Sequence, residues 1–225
     1  GLTNVSFSFS VGKEKYVYRH PGGTAGNLIN RQTEYCAQTA AKNIGIDKSF
    51  IKMDISGWKI SHFVENARNC DFEKSDEQLK IAMVYLRKLH EVAPDNSVKV
   101  FDNVKEGKKL MKIASATKGH LEKEFTEIIG KIDRLYDYIK SDAERLGYNL
   151  VLCHNDTYAP NYLYDKDEKI YLFDWEYAGL NYAANDIGCI LCRYDWTEEQ
   201  IERYLEYYLG HKLTKDERRF YYAFI

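Results

Sequence analysis

Apolar and polar residues alternate from Val5 to Val11, with Val5, Phe7, Phe9 and Val11 set against Ser6, Ser8 and Ser10. That is the two-residue period of a half-buried strand. Gly12 turns the chain, and Lys15-Tyr16-Val17-Tyr18-Arg19 reads as the returning strand. Residues 27–43 read as a helix, preceded by Gly22-Gly23-Thr24 and followed by Gly45. Residues 50–54 and 58–64 are the next strands, parted at Ser56-Gly57. Ser75 or Asp76 caps a helix reaching His90, with Leu79, Ala82, Met83, Leu86 and Leu89 along one face. Pro94 breaks the chain, and two helical spans follow, around residues 104–115 and 121–146. The second is expected to bury a stripe of Phe125, Ile128, Ile132, Leu135, Tyr136 and Ile139. Apolar runs at 150–153 and 169–173 predict two short strands around a polar loop. A helix from about Asn181 carries Ile187, Ile190 and Leu191, and Thr197-Glu198-Glu199-Gln200 is a capping box that opens the next.

Composition narrows the class. With 225 residues, 44% of them hydrophobic, the chain can bury a large core in one or two domains. A net charge of −2 gives no reason to expect a nucleic acid or an anionic membrane as partner. No signal peptide and no membrane-length apolar run is present, so membrane insertion is not expected. Five scattered cysteines, an odd number, read as reduced thiols in a cytoplasmic protein. Cys189-x-x-Cys192 has no second pair or His cluster beside it, and reads as one face of a helix.

The densest chemistry lies in His154-Asn155-Asp156-Thr157-Tyr158-Ala159-Pro160-Asn161, followed by a short strand ending in Asp174. The frame is H-x-D-x-x-x-x-N and then Asp. Phosphoryl transfer from ATP needs one carboxylate to orient an acceptor hydroxyl and take its proton, and oxygen ligands for Mg²⁺ on the phosphates. Asp156 fits the base; Asn161 and Asp174 fit a hard, oxygen-seeking cation. The alternative is a polar turn between strands of some other fold, which each Asp alone would favour and the joint spacing does not.

"LCHNDTYAPNYLYD" and "IYLFDWEYAG", with Asn181 and Asn185-Asp186-Ile187 after them, resemble the choline/ethanolamine kinase family, most closely its bacterial choline kinase branch. That family belongs to the aminoglycoside-phosphotransferase-like small-molecule kinases, and the resemblance covers nearly the whole chain. It implies an α+β, two-lobed, protein-kinase-like fold: a small antiparallel β lobe over residues 1–61, a hinge at 62–67, and a larger, mainly helical lobe over 68–225. ATP and Mg²⁺ are the implied cofactors, and a small alcohol, choline first, the implied acceptor. By the same resemblance, Gly1-Leu2-Thr3-Asn4 is the phosphate-covering loop, which places Thr3 and Asn4 at the nucleotide. Arg19 grips phosphate where protein kinases use Lys, and a guanidinium suits that task through its fork of donors. Glu34 is the helix carboxylate that pairs with Arg19. Asp186 holds the catalytic loop by hydrogen bonds to its backbone, and His154 packs behind that loop.

Within this reading Glu176 has a possible acceptor-side role. If the backbone after Asp174 is extended, Asp174 and Glu176 project to one side, and Glu176 supplies negative potential for a cationic alcohol. The competing role is a turn anchor or a pair with a nearby Arg or Lys. One departure stands against choline: Arg193 occupies a place where the resembling family commonly carries a Glu near the choline cation. Ethanolamine, thiamine-like alcohols, aminoglycosides and sugars therefore stay open as acceptors. An inactive kinase-fold binding module and a metal-binding module are the readings from other classes. Both ends read as cut, Gly1 within the nucleotide loop and Ile225 within a helix-like run, so the family's C-terminal aromatic region is expected to lie beyond Ile225.

Overall fold

The computed structural model describes residues 4–22, 29–117 and 122–225. Strand β1 (Asn4–Val11) turns at Gly12 into β2 (Glu14–Pro21), and with β3 (Phe50–Met53) and β4 (Lys59–His62) they form an antiparallel sheet in the order β1-β2-β4-β3. Gly12 has φ +61, a left-handed conformation that a residue without Cβ adopts freely. Helix α1 (Arg31–Asn43) packs on the sheet through Glu34 to Arg19 and Gln38 to Lys59, and its start is fixed by Asn30, whose side chain accepts from Thr33 N at 3.0 Å. The helix begins later than position 27, and Asn27 lies outside the described residues.

The alternation in β1 is real, but its faces are reversed from the usual arrangement. Val5, Phe7 and Val11 are 64%, 55% and 62% exposed. The opposite face carries Asn4 and Ser6 of β1, Val17 and Arg19 of β2, and Lys59 and Ser61 of β4, all lining a cleft. The outward face shelters itself across strands, with Phe7 on Tyr18 (5.1 Å) and Phe9 on Tyr16 (5.5 Å).

After residues 62–67 the chain enters a mainly helical region. A small sheet β5-β7-β8 joins Arg68–Asn69, Tyr162–Tyr164 and Ile170–Leu172, and β6 (Val151–Cys153) pairs with β9 (Gly179–Asn181). Helix α2 (Asp76–His90), capped by Ser75, packs its Leu79, Met83, Leu86 and Leu89 into the core. There they meet β6 and helix α6 (Glu198–Leu209). Full burial of each such side chain stabilises by about 1.5–3 kcal/mol. Helices α5 (Ala183–Leu191) and α7 (Lys215–Tyr222) complete this layer. Among the described residues, no helix is long and apolar enough to cross a membrane.

Helices α3 (Asn103–Thr117) and α4 (Glu122–Leu146) pack on each other, and here the expected stripe is corrected. Ile128 and Leu135 are 53% and 45% exposed, and only Ile139 of the six is fully buried. Among the described residues, α4 packs on α3 and, through its C-terminal end, on α7. There Ala143 is buried and Asp142 pairs with Arg219 of α7.

Candidate active site

The loop between β6 and β7 is held from behind by Asp186, which is fully buried in the first turns of α5. Its Oδ2 accepts from His154 N (2.8 Å) and its Oδ1 from Asn155 N (2.7 Å), while the Thr157 hydroxyl donates to its backbone carbonyl. Asn155 has φ +66, and its side chain fixes that turn by donating to Tyr177 O and accepting from Asn181 and Asn185. His154 is buried, edge-on to Trp175 at 4.7 Å. Its Nε2 donates to Phe173 O (2.8 Å) and its Nδ1 accepts from Asp156 N (3.2 Å), which defines the neutral tautomer. Burial pushes its pKa down, and the Asp186 charge only partly opposes this.

His90, at the end of α2, joins this anchor, although in sequence it reads as a helix-end or packing residue. Its Nε2 donates to Asp186 Oδ2 at 3.1 Å, and Tyr208 OH donates to its Nδ1 at 2.8 Å. Cys153 lies close to both His90 and Asp186. Burial raises that thiol well above the usual range, and Asp186 already accepts three hydrogen bonds, so the cluster serves the loop.

On the open side, Asp156 is tied to Asn161, which sits in the 3₁₀ turn Ala159–Asn161. Asn161 Nδ2 donates to the Asp156 carboxylate (2.9 Å) and to its backbone carbonyl (2.8 Å). Burial raises the Asp156 pKa, with the nearby Asp174 charge adding to it; His154, Asn161 and Arg193 pull the other way. Asp174 lies two residues past β8, at the start of the Trp175–Tyr177 turn, with φ +65, its carboxylate 43% exposed and 3.7 Å from Arg19 Nη1.

Arg19 is buried in β2 and donates from Nη2 to Glu34 of α1 and to Gly57 O. Glu34 is also held by Arg31 at 2.5 Å. Among the described residues, Arg19 Nε and Nη1 are buried without a hydrogen-bond partner, and Arg19 lines the cleft. The cleft has a volume of about 780 Å³ and is lined by Asn4, Arg19, Lys59, Asn161 and Asp174, with residues 62–67 along its edge. Buried guanidinium donors awaiting an acceptor fit phosphate oxygens. The metal set fits as well: Asn161 commits only its amide nitrogen in these bonds, leaving its Oδ1 as an acceptor, and the half-exposed Asp174 lines the same cleft.

Two expected site residues fare differently. Thr3 lies outside the described residues. Glu176 is corrected: residues Trp175–Tyr177 form a 3₁₀ turn after the left-handed Asp174, not an extended segment. Glu176 is therefore 5% exposed and accepts from Asn4 Nδ2 at 2.7 Å, joining the β1 end to the catalytic segment. Arg193 lies over the Tyr158 ring, 5.5 Å from its centroid, close enough for its charge to act on Asp156.

An antiparallel sheet backed by one helix, facing a loop that presents Asp, Asn and a second Asp, is the arrangement of the protein-kinase-like small-molecule phosphotransferases. The chain belongs to the choline/ethanolamine kinase family, whose sequence model matches residues 1–222. Protein LicA of Haemophilus influenzae is 28% identical over 92% of this chain, which spans 60% of that relative's length. The crystal structure of choline kinase LicA from Streptococcus pneumoniae superposes with a TM-score of 0.73 at 20% identity, covering 96% of this chain and 75% of that one. ADP-bound aminoglycoside phosphotransferase APH(2'')-Ib gives a TM-score of 0.59 at 21% identity, over 96% of this chain and 81% of that one. These likenesses establish the α+β, protein-kinase-like fold.

Proposed function

We propose that this chain phosphorylates the hydroxyl of a small alcohol, choline first, with ATP as donor and Mg²⁺ as metal. The observation that carries this is that Arg19, Asn161 and Asp174 line one cleft, with Asp156 bonded to Asn161 and Glu34 to Arg19. Residues 1–61 and 68–225 act as the two lobes, with 62–67 as the hinge beside the nucleotide. The reaction suits a cytoplasmic setting, where ATP is abundant.

Asp156 receives the acceptor hydroxyl and takes its proton as the oxygen bonds to the γ-phosphorus and the bond to the ADP oxygen breaks. Asn161 keeps the Asp156 carboxylate oriented, and Asp186 keeps the loop under it rigid. Arg19, aimed by Glu34, binds phosphate oxygens. Asn161 and Asp174 would hold Mg²⁺, which would supply neutralisation of phosphate charge there.

Arg193 favours a second reading for the acceptor, because a cation beside Asp156 disfavours a quaternary ammonium and suits an uncharged alcohol. The test is ADP release on incubation with Mg²⁺-ATP and a panel of choline, ethanolamine, an aminoglycoside and a sugar. Choline-dependent turnover supports the first reading. Turnover with the sugar alone selects the second, and none with any alcohol removes the kinase assignment.

A further inference from the structure

Lys59 lines the same cleft. It stands on β4 opposite Arg19 of β2 in the antiparallel register, so both side chains leave one face of the sheet. Lys59 is 7% exposed. Its Nζ donates to Gln38 Oε1 at 2.9 Å, and Gln38 Nε2 donates on to Asp47 Oδ2 at 2.6 Å. The carboxylate that would neutralise the ammonium thus stands one amide away, itself occupied by Ser49. Glu34, on the same side, is shared by Arg19 and Arg31. Asp174 is half exposed and pairs with Arg19 at 3.7 Å.

The result is a buried amine with three donors and a neutral hydrogen-bond partner. Burial and the Arg19 charge bring its pKa down to about 8, against the opposing pull of Glu34, Asp47 and Asp174. A buried cation without a contacting counter-charge is costly. Beside it, Arg19 Nε and Nη1 are buried without a hydrogen-bond partner among the described residues. Two neighbouring cations with donors to spare, facing one cavity, make an anion site.

We propose that Lys59 binds the phosphate chain of the nucleotide alongside Arg19, as a second cation of the cleft. This rests on the ATP reading above. A purely structural Lys59 would tie α1 to the sheet through Gln38, and the two roles differ in what they make of a nucleoside without phosphate. They also differ in protons. A phosphate beside the amine favours its charged form, so binding near pH 8 draws in protons.

The experiment is calorimetric titration of the whole chain, wild type, K59Q and K59R, with adenosine, ADP and ATP plus Mg²⁺. Titrations near pH 8 are run in buffers of differing ionisation enthalpy. The expected result is that K59Q weakens ADP and ATP by about tenfold or more, the worth of one charge-assisted hydrogen bond, and leaves adenosine unchanged. K59R recovers most of the loss, and the wild type takes up protons on binding ADP. The proton count needs no variant, so it stands even if K59Q does not fold. Unchanged ADP affinity in K59Q, an equal loss for adenosine and ADP, or no proton uptake by the wild type overturns the proposal. A wild type that binds none of the three removes the ATP reading and this proposal with it, and that outcome is distinct from failure of Lys59 alone.

Discussion

Asn161 donates one amide nitrogen to both the side chain and the backbone carbonyl of Asp156, at 2.9 and 2.8 Å. The five-residue spacing therefore does two things. It closes the loop on itself, and it leaves the Asn161 side-chain oxygen uncommitted in a residue that lines the same cleft as Asp174.

Asp156→Asn keeps the hydrogen bond from Asn161 and removes the base. Turnover is expected to fall by about 10²–10⁴ with ATP affinity retained. The raised carboxyl pKa adds a second expectation. A carboxylate whose folded pKa is raised favours the fold at low pH, and that stability is lost as pH rises through the folded value. The Asn variant should thus melt higher than wild type at neutral pH, with the gap closing in acid. In wild type, kcat/KM, which reports the free enzyme's groups, should rise with pH through the same raised pKa. Near-normal kcat in the variant removes Asp156 from the role.

Asp174→Ala and Asn161→Ala each delete an oxygen ligand. Both are expected to weaken Mg²⁺-ATP binding while adenosine binding holds, since the nucleoside carries no metal. Calorimetry giving unchanged Mg²⁺-ATP affinity for both variants contradicts the metal assignment.

His90 and Asp186 are 96 positions apart, and their 3.1 Å contact explains why the loop anchor was only half legible in the sequence. The spacing of His154, Asp156 and Asn161 is local, so one segment reveals it. Asp186 lies outside that segment, and the family resemblance, not the spacing, implies its role. His90 comes from α2, where nothing in the helical pattern separates a packing histidine from one that donates to a buried carboxylate. The same limit applies to β1. Alternation shows that a strand has two faces, but the cleft, not the apolar side, decides which one turns inward. In α4 the 3.6-residue period marks a stripe correctly and cannot say how much of it meets the body. For Glu176, one residue in a left-handed conformation at Asp174 overturned the extended geometry on which its expected position rested.

His90→Ala removes the donor to Asp186 and leaves Tyr208 OH without its acceptor. A hydrogen bond to a charged group is worth about 1.5–3 kcal/mol, so the melting temperature should drop. Turnover should fall further than the loss of folded protein explains, with nucleotide affinity unchanged, because the loop under Asp156 loosens. His90→Gln can restore one donor and should recover part of both. A variant that melts lower but turns over normally per folded molecule confines His90 to packing.

Glu176→Gln separates a structural anchor from a substrate contact. The carboxylate is buried and accepts from Asn4, so it joins β1 to the segment after Asp174. The variant is expected to melt lower and to change the KM for ATP and for the alcohol by similar factors. A selective rise in the KM for choline, with kcat held, would return Glu176 to the acceptor site.

Arg193 bears on which alcohol is taken. Its guanidinium lies over Tyr158, two residues past Asp156, and its positive charge reaches the Asp156 carboxylate. For a cationic acceptor the two effects oppose each other: Asp156 attracts the ammonium while Arg193 repels it. The side chain is exposed, so solvent screens it, and pairs of this kind are typically worth about 0.2–1 kcal/mol. Arg193→Gln should therefore lower the KM for choline by up to about fivefold and leave the KM for ATP unchanged. Arg193→Glu, which reverses the charge, should lower it further. Raising ionic strength should shrink the difference between wild type and variants, because exposed charges are screened over about 10 Å at 0.1 M salt. An uncharged alcohol should show no such trend, which makes it the internal control. If choline KM rises in both variants, Arg193 supports the acceptor site through Tyr158, and repulsion is the wrong description.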